Sequence, residues 1–187
     1  MKIFGKHNLL NLNGARIVCT LLGIDDKKFF EAISLFRGAS KRLELVDYNE
    51  KTCIYKDFAH SPSKVKATVV ALKEQFCERK LIACLELHTF SSLTHDFLKE
   101  YKGSLNAAET TIVYFNPHTA AHKNLPPLNA TMIAEAFGNN DLIVFDNSKK
   151  MQDYLLGLSF NDAILLFMSS GNFDGIDFQE FAARILS

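Results

Sequence analysis

Near the end of the chain, Ala163-Ile164-Leu165-Leu166-Phe167-Met168 runs apolar without a break. A strand with one face in water alternates apolar and polar side chains, so a strand with no polar face has to be covered on both. Such strands lie inside parallel sheets, and parallel neighbours need crossover helices. The preceding sequence supplies them. Leu43 to Tyr48 and Thr52 to Phe58 read as strands joined by a turn at Asn49-Glu50-Lys51. Ser61 is placed to cap the next helix and Pro62 to open it, where a missing N–H costs nothing; Val65, Val69, Leu72 and Phe76 give that helix an apolar face. Strand and helix then alternate: Leu81 to Leu87 before a helix around Asp96 to Leu105, Thr111 to Phe115 before one around Thr131 to Phe137, and Leu142 to Phe145 before one around Lys149 to Leu158. A helix over Phe178 to Leu186 closes the chain. The segment Asn116 to Asn129, with three prolines, reads as a long loop. The expected fold is α/β, a mostly parallel sheet with helices on both faces.

Two helices come before this unit. Leu9, Leu12, Ala15, Ile17, Val18, Leu21 and Leu22 keep helical spacing up to Gly23. A second helix starts at Asp25 and Asp26, with Phe29, Phe30, Ile33 and Phe36 as its expected buried stripe. The pair has no strand of its own, so its apolar faces are expected to pack on something beyond this chain. The pattern changes at Gly38, dividing the chain into residues 1–37 and 38–187.

Lys+Arg and Asp+Glu balance at 21 each, which argues against nucleic acid as a partner, since that needs a basic surplus on one face. No run approaches the ~20 apolar residues of a membrane span. Cys19, Cys53, Cys77 and Cys84 lie far apart with no C-x-x-C pair, consistent with reduced thiols and a cytoplasmic protein. His118 and His122 stand four apart without a Cys or carboxylate at ligand spacing, so no metal site is expected.

In an open α/β sheet ligands meet the carboxyl ends of the strands. Three polar segments fall there: Asp57-Phe58-Ala59-His60, Glu86-Leu87-His88-Thr89 and Ser169-Ser170-Gly171-Asn172. Asp57 has the chemistry to accept ribose hydroxyls, and His60 to contact phosphate or carry a proton; both could instead satisfy backbone groups around the turn. His88 and Ser91 are candidate substrate contacts. Ser169, Ser170, Gly171 and Asn172 offer hydroxyls, amides and backbone N–H groups suited to a carboxylate or phosphate, or form an ordinary turn. Arg42, after Gly38 and Lys41, has the planar fork that matches phosphate oxygens. His7, Asn8 and Asn11 open the first helix, where Asn either caps or reads an adenine edge.

Taken in order, these segments resemble the Mur ligases, ATP-dependent amide synthetases of peptidoglycan assembly. GKHNLLN is similar to G-x-H-N-x-x-N, which implies adenine contacts at His7, Asn8 and Asn11. FRGASKRLE resembles F-x-G-x-x-[RK]-R-x-E, which places Arg42 on the ATP phosphates. KDFAHSP is similar to D-[DY]-[FY]-[AG]-H-[HTS]-P, which puts Asp57 on the nucleotide-contacting aspartate and His60 on the motif histidine; Lys56 stands where Asp is common. LLFMSSGN occupies the place of the loop near the incoming amino acid or peptide.

The resemblance implies that residues 1–37 end a central ATP-binding domain and that 38–187 form the substrate-side C-terminal domain. It also implies ATP and Mg²⁺ as cofactors, held mainly by an upstream domain, and UDP-N-acetylmuramate as a substrate. The chemistry it implies is activation of a carboxylate as an acyl phosphate followed by attack of an amine. Within the family the chain is most similar to the muropeptide ligase branch, whose amine substrate is L-Ala-γ-D-Glu-meso-diaminopimelate. The rival is the L-alanine-adding branch, in which Arg is usual at the position of Ser92. No G-x-x-x-x-G-K-[ST] phosphate cradle occurs in the chain, so the chain alone is expected to be inactive. An alternative of another class is a non-catalytic nucleotide- or peptide-binding α/β module.

Overall fold

The computed structural model describes residues 5–36 and 42–187. Helices α1 (Lys6–Leu21) and α2 (Asp26–Ser34) come first, followed by β1 (Glu44–Tyr48), β2 (Thr52–Asp57), α3 (Pro62–Gln75) and β3 (Lys80–Leu87). A short helix α4 (His95–Leu98) leads to β4 (Thr110–Phe115), α5 (Pro117–His122), α6 (Ala130–Phe137), β5 (Ile143–Phe145), α7 (Ser148–Leu156), β6 (Ala163–Met168) and α8 (Phe178–Leu186). The strands form one sheet in the order β1-β2-β6-β3-β4-β5. Only β1 runs antiparallel, as a hairpin with β2. Asn49 closes that hairpin, its Oδ1 accepting the N–H groups of Lys51 and Thr52 at 2.9 and 2.8 Å.

The unbroken apolar run of β6 is explained by its place. It pairs with β2 on one side and β3 on the other, and all six residues are buried. Ile164, Leu166 and Met168 face a core shared with Leu85, Val69 and Phe137, beneath α3, α4 and α6. Leu165 and Phe167 face the opposite core with Ile82, Met151 and Phe181, beneath α7 and α8. Each such side chain contributes about 1.5–3 kcal/mol by leaving water. The mostly parallel sheet with helices on both faces is therefore as the pattern predicts.

Three elements differ from the sequence expectation. The helix expected around Asp96 to Leu105 is reduced to α4 and a 3₁₀ turn at Lys99–Tyr101, with a further 3₁₀ turn before it at Ser91–Leu93. Leu93, Leu98, Tyr101 and Leu105 are buried as their spacing demands. Gly103, at φ 70°, turns the chain aside while its N–H meets the Phe137 carbonyl at 3.2 Å. The expected loop from Asn116 to Asn129 contains α5, because Asn116 caps it (His118 N–H to Oδ1, 2.9 Å) and Pro117 occupies its first position. Ser61 sits at the N-cap of α3, yet its side chain makes no capping hydrogen bond.

Of the stripe expected to be buried in α2, only Phe29 is; Phe30 and Phe36 are half-exposed. Helix α1 buries no residue at all. Leu21 and Leu35, each 82% exposed, head a run of apolar side chains on this pair that meet no core here.

Candidate functional site

The topology opens a crevice at the carboxyl ends of three neighbouring strands. The chain leaving β2 and β3 turns toward the face covered by α3 and α4, whereas the chain leaving β6 turns toward α8 on the other face. Ligands bind open α/β sheets at such divergences.

From β2, the Asp57 carboxyl accepts the Leu43 N–H on one oxygen and the Ala59 N–H on the other, both at 2.6 Å. It thereby ties the start of the β1–β2 hairpin to the strand end. Leu43 is held there at φ 44°, a conformation that L side chains rarely adopt, immediately after exposed Arg42. The His60 ring donates Nδ1–H to the Phe58 carbonyl at 2.8 Å, and the buried Tyr101 hydroxyl donates to the His60 carbonyl. Burial pushes the Tyr101 phenol up to about 12.

From β3 comes Glu86, which the sequence places in a strand-end segment without marking a role for it. Glu86 is the one acidic residue in an otherwise apolar strand end, and only 4% of it is exposed. Its Oε2 accepts from the Ser169 hydroxyl and, at 2.8 Å, from the Phe173 N–H. Ser169 Oγ in turn accepts the Gly171 N–H at 2.6 Å. His88, half-exposed, places Nδ1 3.6 Å from the other Glu86 oxygen. A Cβ at Gly171 would stand 2.8 Å from Glu86 Oε2 and from His88 Cγ, so glycine is required by close approach.

The turn after β6 is strained. Phe173 and Asp174 have φ 52° and 63°, and Phe173 is buried. Left-handed conformations cost a bulky residue on the order of 1–3 kcal/mol and concentrate at functional sites. Phe173 is held at both ends, its carbonyl accepting from Ser148 Oγ at 2.7 Å, and its ring lies among Phe167, Phe178 and Tyr114. Asn116, at the end of β4, donates to Asp174 at 3.2 Å. Burial first, then the nearby Asp174 and Glu86 carboxyls, push the Tyr114 phenol up to about 12. Lys123, at the C-cap of α5, donates to the His88 carbonyl, so the loops after β3, β4 and β6 are bonded into one rim. Beside it lies a cavity of about 210 Å³ lined by Lys56, Phe58, Asn172, Phe173, Ile176 and Phe178 among others. Lys56 at its edge pairs with Glu44 at 3.1 Å.

The structure thus brings Asp57 and His60 to the end of β2, Ser169, Ser170, Gly171 and Asn172 to the end of neighbouring β6, and His88 to the end of β3 beyond it. Ser91 sits further along the rim, 3.3 Å from Thr89 Oγ1. His7, Asn8 and Asn11 are elsewhere: the start of α1 lies against Ala71, Glu74 and Gln75 of α3. Ala71 is about 14 Å of helix beyond Pro62. Gly38 and Lys41 lie outside the described residues. No helix among the described residues is long and apolar enough to cross a membrane.

A profile of the Mur ligase, glutamate ligase domain, matches residues 41–171, which holds the whole crevice up to Gly171. The chain belongs to the Mur ligase family. A relative from Desulfitobacterium hafniense, a UDP-N-acetylmuramate–L-alanine ligase, is 26% identical over 174 residues, covering 92% of this chain and 38% of its own length. In structure the chain is similar to a UDP-N-acetylmuramate–alanine ligase from Thermotoga maritima (TM-score 0.76, 18% identity, 98% of this chain and 39% of that one). It is also similar to a murein peptide ligase from Psychrobacter arcticus (TM-score 0.67, 22% identity, 97% of this chain and 37% of that one). The chain therefore spans less than two fifths of the length of these Mur ligases.

Proposed function

We propose that this chain is the substrate-side portion of an ATP-dependent Mur ligase that joins an amine to UDP-N-acetylmuramate in the cytoplasm, and that the amine is L-Ala-γ-D-Glu-meso-diaminopimelate. The observation that carries the ligase reading is the rim itself. A strained, Glu86-anchored turn lies one strand away from the Asp57–His60 segment, so a nucleotide site and an amine pocket share one sheet edge.

Residues 1–37 then belong to the central domain and 38–187 to the C-terminal domain. ATP would supply the activation of a carboxylate. Arg42, exposed at the junction, suits its phosphates, and Asp57, with one backbone N–H on each oxygen, retains acceptor capacity for ribose hydroxyls. His60 would stand beside them, and His7, Asn8 and Asn11 would contact adenine. Mg²⁺ would be held mainly by the upstream domain, and among the described residues no group of three His, Cys, Asp or Glu side chains could hold a metal ion. His88, Ser91, Ser169, Ser170, Gly171 and Asn172 would receive the amine. Without a phosphate cradle the chain by itself would be inactive.

Ser92 supports the tripeptide. It stands where Arg is usual in the L-alanine branch, and it is 1% exposed, its hydroxyl donating to the Thr89 carbonyl at 3.0 Å. L-alanine is the second reading, supported by the D. hafniense relative and its like. Incubating the full-length protein that carries this chain with ATP, Mg²⁺, UDP-N-acetylmuramate and both amines in competition tests the choice. The expected product mass is that of the sugar nucleotide bearing the tripeptide; the alanyl product alone would favour the second reading.

A further inference from the structure

We propose that Glu86 is a positioning residue, which shapes the Ser169–Asp174 turn to receive the amine substrate through hydrogen bonding and not through charge. The inference rests on the reading of that turn as the amine pocket.

An ionisable side chain inside an apolar strand is costly unless its polar atoms are satisfied, and an apolar residue would serve the core at least as well. Glu86 does not serve the core. Its Oε2 receives the Ser169 hydroxyl and the Phe173 N–H, the two ends of the segment that spans Ser170, Gly171 and Asn172. Ser169 relays the hold to the Gly171 N–H. These bonds keep buried Phe173 at φ 52°, which it would leave if released. Gly171 lies directly against the Glu86 carboxyl and the His88 ring, so any shift of the carboxyl shifts the turn. The same arrangement leaves the Ser170 hydroxyl oxygen buried with no partner among the described residues, a donor and acceptor still to be satisfied at the centre of the turn.

Both anchoring bonds end on a single oxygen, while Oε1 stands 3.6 Å from His88 Nδ1, beyond hydrogen-bond reach. Glutamine keeps the anchoring oxygen and removes the charge. Alanine removes both.

The test is an ¹⁵N NMR titration of the full-length protein that carries this chain with the diaminopimelate tripeptide and, separately, L-alanine, following the Gly171 and Phe173 amides. Glu86→Gln is expected to bind the accepted amine within about twofold of the parent. Glu86→Ala and Ser169→Ala are expected to weaken it at least about tenfold, the effect of losing one or two buried hydrogen bonds. Glu109→Gln, a variant at the distant α3–β3 contact, is expected to leave affinity unchanged, which separates positioning from stability. Folded Glu86→Ala binding like the parent would overturn the proposal, and so would Glu86→Gln as weak as Glu86→Ala, since charge would then be acting. If Glu86→Ala does not fold, Ser169→Ala and Glu86→Gln decide in the same way. A full-length parent that binds neither amine would overturn the pocket reading itself.

Discussion

Replacing Gly171 by alanine adds one methyl group where the structure has no space for it. The new carbon would lie 2.8 Å from Glu86 Oε2, from His88 Cγ and from His88 Nδ1, distances that real contacts do not reach. His88 is 43% exposed and can swing away; the Glu86 side chain, 3% exposed and bonded at Oε2, cannot do so without releasing Ser169 and Phe173. Two released hydrogen bonds cost about 0.5–1.5 kcal/mol each, and forcing a methyl into a packed site costs about 1–3 kcal/mol. Some relaxation is shared, so the expected loss is about 2–4 kcal/mol. For a chain of this size that lowers the thermal midpoint by about 6–12 °C, at about 3 °C per kcal/mol. Gly14→Ala is the control: it lies in α1 with nothing within 4 Å, and should hold or slightly raise stability. Differential scanning calorimetry of both variants is the assay. A Gly171→Ala midpoint within about 2 °C of the parent would refute the reasoning, because it would mean that Glu86 does not hold the turn against displacement.

Three other outcomes are expected. Glu109 accepts the Leu81 N–H at 2.8 Å and pairs with Lys73 at 2.6 Å; although partial burial pushes the other way, these partners lower its pKa. Its contribution is thus complete above the ordinary carboxylate pKa and lost as pH falls through the lowered folded value, so the stability margin of the parent over Glu109→Gln in urea should shrink on acidification below about pH 4; a constant margin down to pH 3 would contradict the clamp. Burial pushes the Cys84 thiol well up, whereas Cys77 is exposed, so a thiol reagent at pH 8 should label Cys77 at once and Cys84 at least about a thousandfold more slowly, through unfolding; peptide mapping of early time points would show otherwise if Cys84 were reachable. Leu21→Glu with Leu35→Glu, each 82% exposed, should change unfolding stability by no more than about 1 kcal/mol while reducing self-association in light scattering. A larger loss would place these side chains in a core.

Much of the fold was legible because burial on two faces leaves a compositional mark. Ala163–Met168 and Phe178–Leu186 have the bounds that the pattern predicts. The misread stretches were those where local chemistry overrides periodicity: the Asn116 cap that turns a proline-bearing loop into α5, and the Gly103 bend that breaks up the expected helix before β4. In the site, the strand-end segments could be read in order, since polar residues after apolar runs mark where ligands meet an open sheet. Glu86 also carried a signal, a lone acid within Lys80–Leu87, but its meaning depends on β6 being its neighbour, a pairing across 83 positions of sequence. The left-handed Phe173 left no trace in the sequence, because nothing in Asn-Phe-Asp requires it. Nor does the polar opening of α1 predict that it would rest against the second half of α3.

The central claim is that this sheet edge works in ATP-dependent ligation to UDP-N-acetylmuramate. Its most direct test is phosphate release by the full-length protein that carries this chain, with ATP and Mg²⁺, comparing Arg42→Ala with the parent. The account predicts release only when UDP-N-acetylmuramate and the amine are both present, and a fall of at least about tenfold in the variant, as loss of a phosphate-bridging guanidinium implies. Release that ignores either substrate, or none with tripeptide or L-alanine, would contradict it.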